Sequence, residues 1–509
     1  MHFDLSIPGQ LMSALAPDLV LLVGAMVLLL VSAWGRESAE RQRMVGFASL
    51  GLAVVVLASV VYVGTRDMSA ANGVIAVDRF RWAADALFLL AAIITIALSI
   101  DNNPREGILA GEAHVLTLLA TGGMMLMAAA RDLMVLFLGI ELMSIAVYVM
   151  VGLDRRSARA AEASLKYFLL GAFSTGFLLY GIALVYGATG TTNLATIGER
   201  IAALGLTQTP MLLVGIALLL VGFSFKLAAA PFHMWAPDVY EGASTPISAF
   251  MAAGVKAAAF AALLRVWLEA FPGVYSEWHK GVWWIAAITM VVGNLIALQQ
   301  KNLKRMLAYS SIAHTGFIFV ALAAGTPQAG TAFLFYLFAY TLATMGAFAV
   351  LIAVGRSGGS GDRIEDFHGL WYSNPGLAVA MMVFMFALLG FPVFGGIGFF
   401  AKWYVLQAAL QAPAPQTRLA VLLVLTSTIS AGYYVWVVMV MFMKQRAADA
   451  LKIPAMPVLT KLVVAGSVAL ILFFGVYPDP LVRLAKASNS LGAPVGAVAP
   501  NRAVALPGQ

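Results

Sequence analysis

GFSFKLAAAPFHMWAP (222–237) ends an apolar run that opens near residue 210, and it sets a lysine and two prolines where a membrane-spanning helix would continue. Proline removes a backbone donor and clashes with the preceding turn, so Pro231 and Pro237 are expected to break this helix. A second stretch, GFPVFGGIGFF (390–400), interrupts an apolar run at 376–410 that is too long for one straight crossing. Broken backbone is tolerated at membrane depth only where it is buried in protein or lines a cavity. Two broken helices far apart in sequence therefore point to a transport site between two related halves.

The rest of the chain agrees with a membrane reading. Of its 509 residues, 61% are hydrophobic and 11% charged, against about 25% charged in soluble domains. The net charge of +7 follows from basic loops between spans, and nothing suggests nucleic-acid recognition. Cysteine is absent, which excludes disulfides, thiolate zinc sites and cysteine-ligated iron–sulfur clusters. No metal or cofactor site is expected in this chain. The start, MHFDLSIPGQ, is acidic rather than basic and does not read as a cleaved signal peptide.

Crossing the hydrocarbon core takes about 20 apolar residues, and fourteen segments qualify: 17–34, 44–64, 83–101, 112–130, 132–152, 164–187, 210–230, 246–269, 281–299, 303–323, 329–354, 376–410, 417–443 and 458–477. The fold expected is an all-α polytopic membrane protein with about 14 transmembrane helices, the seventh and twelfth discontinuous. The distribution of Lys and Arg among the loops places both termini outside. A shift of 170 residues lays Gly123 on Gly293, Arg131-Asp132-Leu133 on Lys301-Asn302-Leu303, and Gly176 on Gly346. Five helices per unit is odd, so two such copies would be inverted in the membrane. The division expected is 1–110 (helices 1–3), 111–270 (first repeat), 271–445 (second, inverted repeat) and 446–509 (helix 14 and a short tail rich in Ala, Pro and Gly, expected to be mobile).

Four ionisable residues lie inside these spans: Glu141, Lys226, Lys256 and Lys402. Each costs roughly 2.5–3.5 kcal/mol at a helix centre on insertion scales, and such residues usually serve ion or proton pathways. Glu141 is about 13 Å from either interface at 1.5 Å per residue, too far for a carboxylate to reach water. Lys256 is equally central. Lys226 and Lys402 each adjoin a broken helix. Lysine suits proton handling because its proton affinity moves readily with its surroundings, and a Glu141–Lys226 pair is expected to hold and release a proton. Each of the four also has a purely structural reading as a buried, hydrogen-bonded or snorkelling charge. His233, beside the first break, and His314, one turn from Ser311, are candidate relays; each of them, and His114, which also falls within or beside a span, reads equally as a hydrogen-bonded core residue. Lys166, near Glu162, reads as a flank charge with a lesser claim on the relay. Asp238 and Glu241 are assigned to a cytoplasmic loop.

Three stretches carry a resemblance: FKLAAAPFHMWAPDVYEGASTPISAF (225–250), LGIELMSIAVYVMVGLDRR (138–156) and ASLKYFLLGAFSTG (163–176). They resemble the antiporter-like membrane subunits of proton-pumping NADH:quinone oxidoreductase (respiratory complex I), closest to subunit N. Lys402 fits subunit N, where the subunit M pattern has glutamate, and the chain ends too early for the long lateral helix of subunit L. The resemblance covers nearly the whole chain. It implies fourteen helices with two inverted five-helix repeats, and a proton path through Glu141, Lys226, Lys256 and Lys402. It further implies that NAD, FMN, iron–sulfur clusters and quinone belong to partner subunits. The partners would be the neighbouring antiporter-like subunit, small membrane subunits and lipid, in a bacterial inner (plasma) membrane. A multisubunit Na+/H+ antiporter subunit and a stand-alone secondary transporter are the alternatives, with a structural scaffold as a third.

Overall fold

In the computed structural model the described residues are 6–34, 37–66, 73–326, 328–355, 361–446, 453 and 455–491. They form helices joined by short connections, with three isolated β-bridges in place of any sheet. In chain order the helices of eight residues or more are α1 (Ser6–Ala33), α2 (Ala39–Gly64), α3 (Arg79–Arg105), α4 (Glu112–Ala129), α5 (Leu133–Val151), α6 (Ala158–Thr189), α7 (Leu194–Ala203), α8 (Pro210–Lys226) and α9 (Trp235–Gly242). There follow α10 (Thr245–Ala270), α11 (Tyr275–Ala297), α12 (Leu303–Ala323), α13 (Gln328–Val354), α14 (Pro375–Leu389), α15 (Gly396–Leu410), α16 (Thr417–Met443), α17 (Val458–Val476) and α18 (Asp479–Ser488). Twelve helices are long and apolar enough to cross a membrane, and α8 and α14 are shorter apolar helices that each end at a break. Together they account for the fourteen expected spans.

Backbone pairing repeats at the spacing seen in the sequence. Leu133 N donates to Thr192 O (2.9 Å) and Leu194 N to Arg131 O (2.9 Å). Exactly the same roles fall 170 residues later to Leu303 N with Asp362 O (2.6 Å) and Ile364 N with Lys301 O (3.0 Å). Asp132 and Asn302 are the matching N-caps of α5 and α12. The helix crossings match too: a Cβ on Gly123 would stand 2.5 Å from Met143 N, and one on Gly293 would stand 2.5 Å from Ala313 N. Glycine is needed at both because the two backbones leave no room for a side chain.

The three most buried spans, α10, α12 and α13, form the centre of the molecule, while α1, α2, α6, α16 and α17 keep most of their apolar surface outward. A helix that is apolar all round and wholly buried among neighbours is the fitting place for a charge that needs protein partners. Lys256 lies on α10, and α12 carries Ser311 and His314.

Four expectations are corrected. Helix α8 stops at Lys226, five residues before Pro231: Leu227 N makes the last helical bond, to Phe223 O, and Ala228 N and Ala229 N leave the ladder for Phe225 O and Ser224 O. Pro237 breaks nothing, since it sits in the first turn of α9 where its missing N–H has no intrahelical partner to lose. Asp238 and Glu241 belong to α9 rather than to a loop. The segment after Tyr477 forms α18, an amphipathic helix that buries Leu481, Val482 and Ala485; the tail from residue 492 on lies outside the described residues.

Candidate proton-relay site

In each break some backbone groups find partners within the protein. In the first, Ala229 N donates to Ser224 O (2.8 Å) and Ala230 N to Thr289 Oγ1 (3.0 Å). Trp235 Nε1 reaches back to Phe225 O (2.9 Å), and its ring stacks on Tyr167 at 4.4 Å. Thr315 Oγ1 donates to Leu227 O (3.0 Å). In the second break, Gly390 takes φ +79 and its N–H returns to Phe386 O (3.0 Å). Left-handed backbone costs glycine nothing, so the last turn of α14 closes there.

The sequence-identified charges sit as follows. Lys226, the last residue of α8, is buried and donates to Ser144 Oγ (2.7 Å) and Tyr148 OH (3.1 Å), with its ammonium 5.4 Å from the Tyr148 ring centroid. Glu141 lies one turn earlier on α5, half-buried, and accepts from Thr175 Oγ1 (2.9 Å). The expected Glu141–Lys226 ion pair is thus not formed: the lysine takes neutral acceptors at positions 144 and 148. Both residues nevertheless face the same strip of α5, because positions 141, 144 and 148 recur at helical spacing.

Lys256 is fully enclosed and donates to Ser311 O (2.5 Å) and to Ser311 Oγ. It follows a π-helical turn, Met251–Val255, inside α10. Such bulges are frequent at functional sites because they re-aim a side chain within a continuous helix. Lys402, nearly two turns into α15, donates to Leu389 O (2.8 Å) at the end of α14 and lies 4.7 Å from the Phe317 ring centroid. A cavity of about 10 Å³ joins Lys402 to His314, Tyr336 and Tyr340, enough for about one water.

His314 is buried and held at both nitrogens, Nδ1 by Tyr336 OH (2.6 Å) and Nε2 by Tyr434 OH (3.1 Å), and Tyr434 also bonds Ser310. The Tyr340 ring lies 4.9 Å from His314 and 5.9 Å from the Lys256 ammonium. His314 therefore stands between Lys256 and Lys402. His233 lies in the first break, half-buried, and no hydrogen bond joins it to the lysines. Lys166 is apart from the buried set: it pairs with Glu162 (2.6 Å) and Asp238 (3.1 Å) on a 250 Å³ surface pocket shared with Arg159 and Glu241. There Arg305 holds Asp238 and Glu241, each at 2.8 Å. His114 lies elsewhere, bonded to Gln42 (2.7 Å).

Sequence reasoning missed Ser144, Tyr148, Thr175, Ser311, Thr315 and the tyrosines on α13 and α16. Ser144 and Tyr148 had one signal, their helical spacing from Glu141, and the tyrosines on α13 and α16 had none, since no flagged residue shares their helices. The arrangement is a buried row of titratable groups spaced by hydroxyls, suited to moving protons and holding no cluster of metal ligands among the described residues.

Residues 130–430 match the family described as NADH:quinone oxidoreductase/Mrp antiporter, TM. NADH-quinone oxidoreductase subunit N of Gemmatimonas aurantiaca is 49% identical, over 96% of this chain and 95% of its own length. Subunit N of Trichlorobacter lovleyi is 44% identical, over 94% and 97%. The chain belongs to the subunit N family of NADH-quinone oxidoreductase. A chain of respiratory complex I from Thermus thermophilus superposes with a TM-score of 0.78 at 36% identity, over 92% of this chain and 98% of that one. A chain of the Mrp complex from Dietzia shares the fold, with a TM-score of 0.80 at 21% identity, over 94% and 98%. The family match and the buried lysine row thus meet on the same helices, since the match spans α5 through about half of α16.

Proposed function

We propose that this chain is a proton-translocating membrane-arm subunit of NADH:quinone oxidoreductase, and that Glu141, Lys226, Lys256 and Lys402 are its relay. The observation that carries this is the row itself: three lysines buried in an apolar bundle, each bonded to hydroxyls or carbonyls and none, among the described residues, to a carboxylate within ion-pair distance. A buried ammonium with only neutral partners can lose its proton without stranding a counter-charge. His314, between Lys256 and Lys402, is the intermediate carrier. His233 and Lys166 have a lesser claim, on the uptake side.

Redox energy reaches the chain from partner subunits, which hold NAD, FMN, iron–sulfur clusters and quinone. Exposed apolar side chains on α5 and α6, among them Leu138, Ile145, Phe168 and Phe173, suit a neighbouring membrane subunit or lipid. The setting is the plasma membrane of a bacterium. The two repeats, 111–270 and 271–445, would each carry one half of the path, with helices 1–3 and helix 14 flanking them. The antiporter reading draws on fold likeness at low identity and is the weaker one.

The deciding experiment is proton pumping per NADH oxidised in assembled, reconstituted complexes carrying Lys226→Ala, Lys256→Ala or Lys402→Ala. Each should lower pumping at least about tenfold, the effect of roughly 1.4 kcal/mol on a step. Normal pumping by an assembled Lys256→Ala complex would sink the assignment.

A further inference from the structure

One hydroxyl lies between Lys256 and the helix end that bears Lys226. Thr315 is fully buried on α12, and its Oγ1 has two acceptors in reach, Leu227 O at 3.0 Å and Ser311 O at 3.1 Å. A threonine hydroxyl carries one proton and can serve one of them fully. Ser311 O is also the acceptor of the Lys256 ammonium at 2.5 Å, and Leu227 is the residue that follows Lys226. Its carbonyl lies at the break, where no further helical turn supplies a donor.

We propose that Thr315 is a positioning switch that couples the state of Lys256 to the first break. While the Lys256 ammonium draws on Ser311 O and weakens it as an acceptor for others, the Thr315 hydroxyl favours Leu227 O, the shorter of its two contacts, and holds the end of α8. When Lys256 gives up its proton and its hold weakens, Ser311 O is free, and Thr315 turns back to it in the ordinary side-chain bond to the fourth residue before. Leu227 O then loses its donor and the Lys226-bearing turn loosens. No bond but a hydrogen bond changes, and the proton of Thr315 stays on Thr315.

The rest of α12 stays fixed while this happens. Lys304, seven residues before Ser311 and on the same helical face, donates to Ala243 O (2.8 Å), so the helix is anchored at its start. The switch is therefore a rotation of one hydroxyl. It rests on the reading of Lys226 and Lys256 as relay groups, yet its test does not depend on pumping.

Amide hydrogen exchange in the assembled complex reads the state of the break directly, at Ala228, Ala229 and Ala230. Lys256→Met should speed exchange there by about 2- to 30-fold, the range spanned by residues that carry coupling. Thr315→Val should be fast already and unmoved by adding Lys256→Met, whereas Thr315→Ser should restore the dependence. If Thr315→Val prevents assembly, Thr315→Cys, with its weaker donor, carries the same comparison. Unchanged exchange in Lys256→Met, or an undiminished response to it in Thr315→Val, overturns the switch. Normal pumping in Lys256→Ala would instead sink the relay and leave the exchange result standing.

Discussion

At the scale of single residues, each lysine of the proposed relay is defined by neutral partners. Ser144 Oγ and Tyr148 OH are the two acceptors of Lys226, and an acceptor for a charged donor is worth about 1.5–3 kcal/mol. Ser144→Ala should therefore lower pumping about tenfold or more. Tyr148→Phe should lower it less, because the ring under the ammonium is kept; pumping per NADH in reconstituted complexes checks both. The lysines were legible in the sequence because a charge inside an apolar run is rare. Their partners were not, because serine and tyrosine are common in such runs and only the register of α5 against α8 selects these two. The missing Glu141–Lys226 pair has the same cause: adjacency on a helix face was readable, but which of positions 141, 144 and 148 the lysine reaches was not.

At the scale of elements, the second break depends on glycine. A Cβ at Gly398 would lie 1.7 Å from Ala387 O, and one at Gly395 would lie 2.4 Å from the Phe386 carbonyl carbon. Gly398→Ala must force α14 and α15 apart, at a cost of about 1–3 kcal/mol or more, and should displace Lys402 from Leu389 O. Gly466→Ala is the matched control: nothing lies within 4 Å of the added methyl, and a helix-interior alanine should stabilise by up to about 1 kcal/mol. Thermal unfolding of the purified complexes separates the two. The glycine run announced this break in the sequence. Helices α7 and α18 were missed because a search for spans of about 20 apolar residues passes over ten-residue amphipathic helices. The stop of α8 before its prolines was hidden because Pro231 has no N–H for Leu227 O, and the groups that serve the break instead, Thr315 at Leu227 O and Thr289 at Ala230 N, are tertiary partners.

At the scale of the whole molecule, the N-terminal helices must be held to the repeat that carries Lys256, and a buried ionic clamp does this. Arg265, on the same helix as Lys256, is wholly enclosed and donates to both oxygens of Asp78 (2.7 and 2.9 Å), to Glu269 (2.8 Å) and to Ala128 O (2.9 Å). Asp78 is the N-cap of α3, so one carboxylate closes α3 and ties it to α10. Burial pushes the Asp78 carboxyl up, but the Arg265 guanidinium outweighs it and holds the group below the usual carboxylate range. A carboxyl whose folded-state affinity for protons is depressed stabilises the fold above its unfolded value of about 3.9, and that stability is lost as pH falls through the lower folded value. The clamp should therefore hold from neutral pH down to about pH 4 and fail below it. Asp78→Asn leaves Arg265 enclosed with one fewer charge partner, which should cost about 3–5 kcal/mol at neutral pH and remove this part of the acid-induced loss. Thermal unfolding of parent and variant between about pH 3 and pH 7 checks both limbs, and equal midpoints at neutral pH would show that the clamp carries no load.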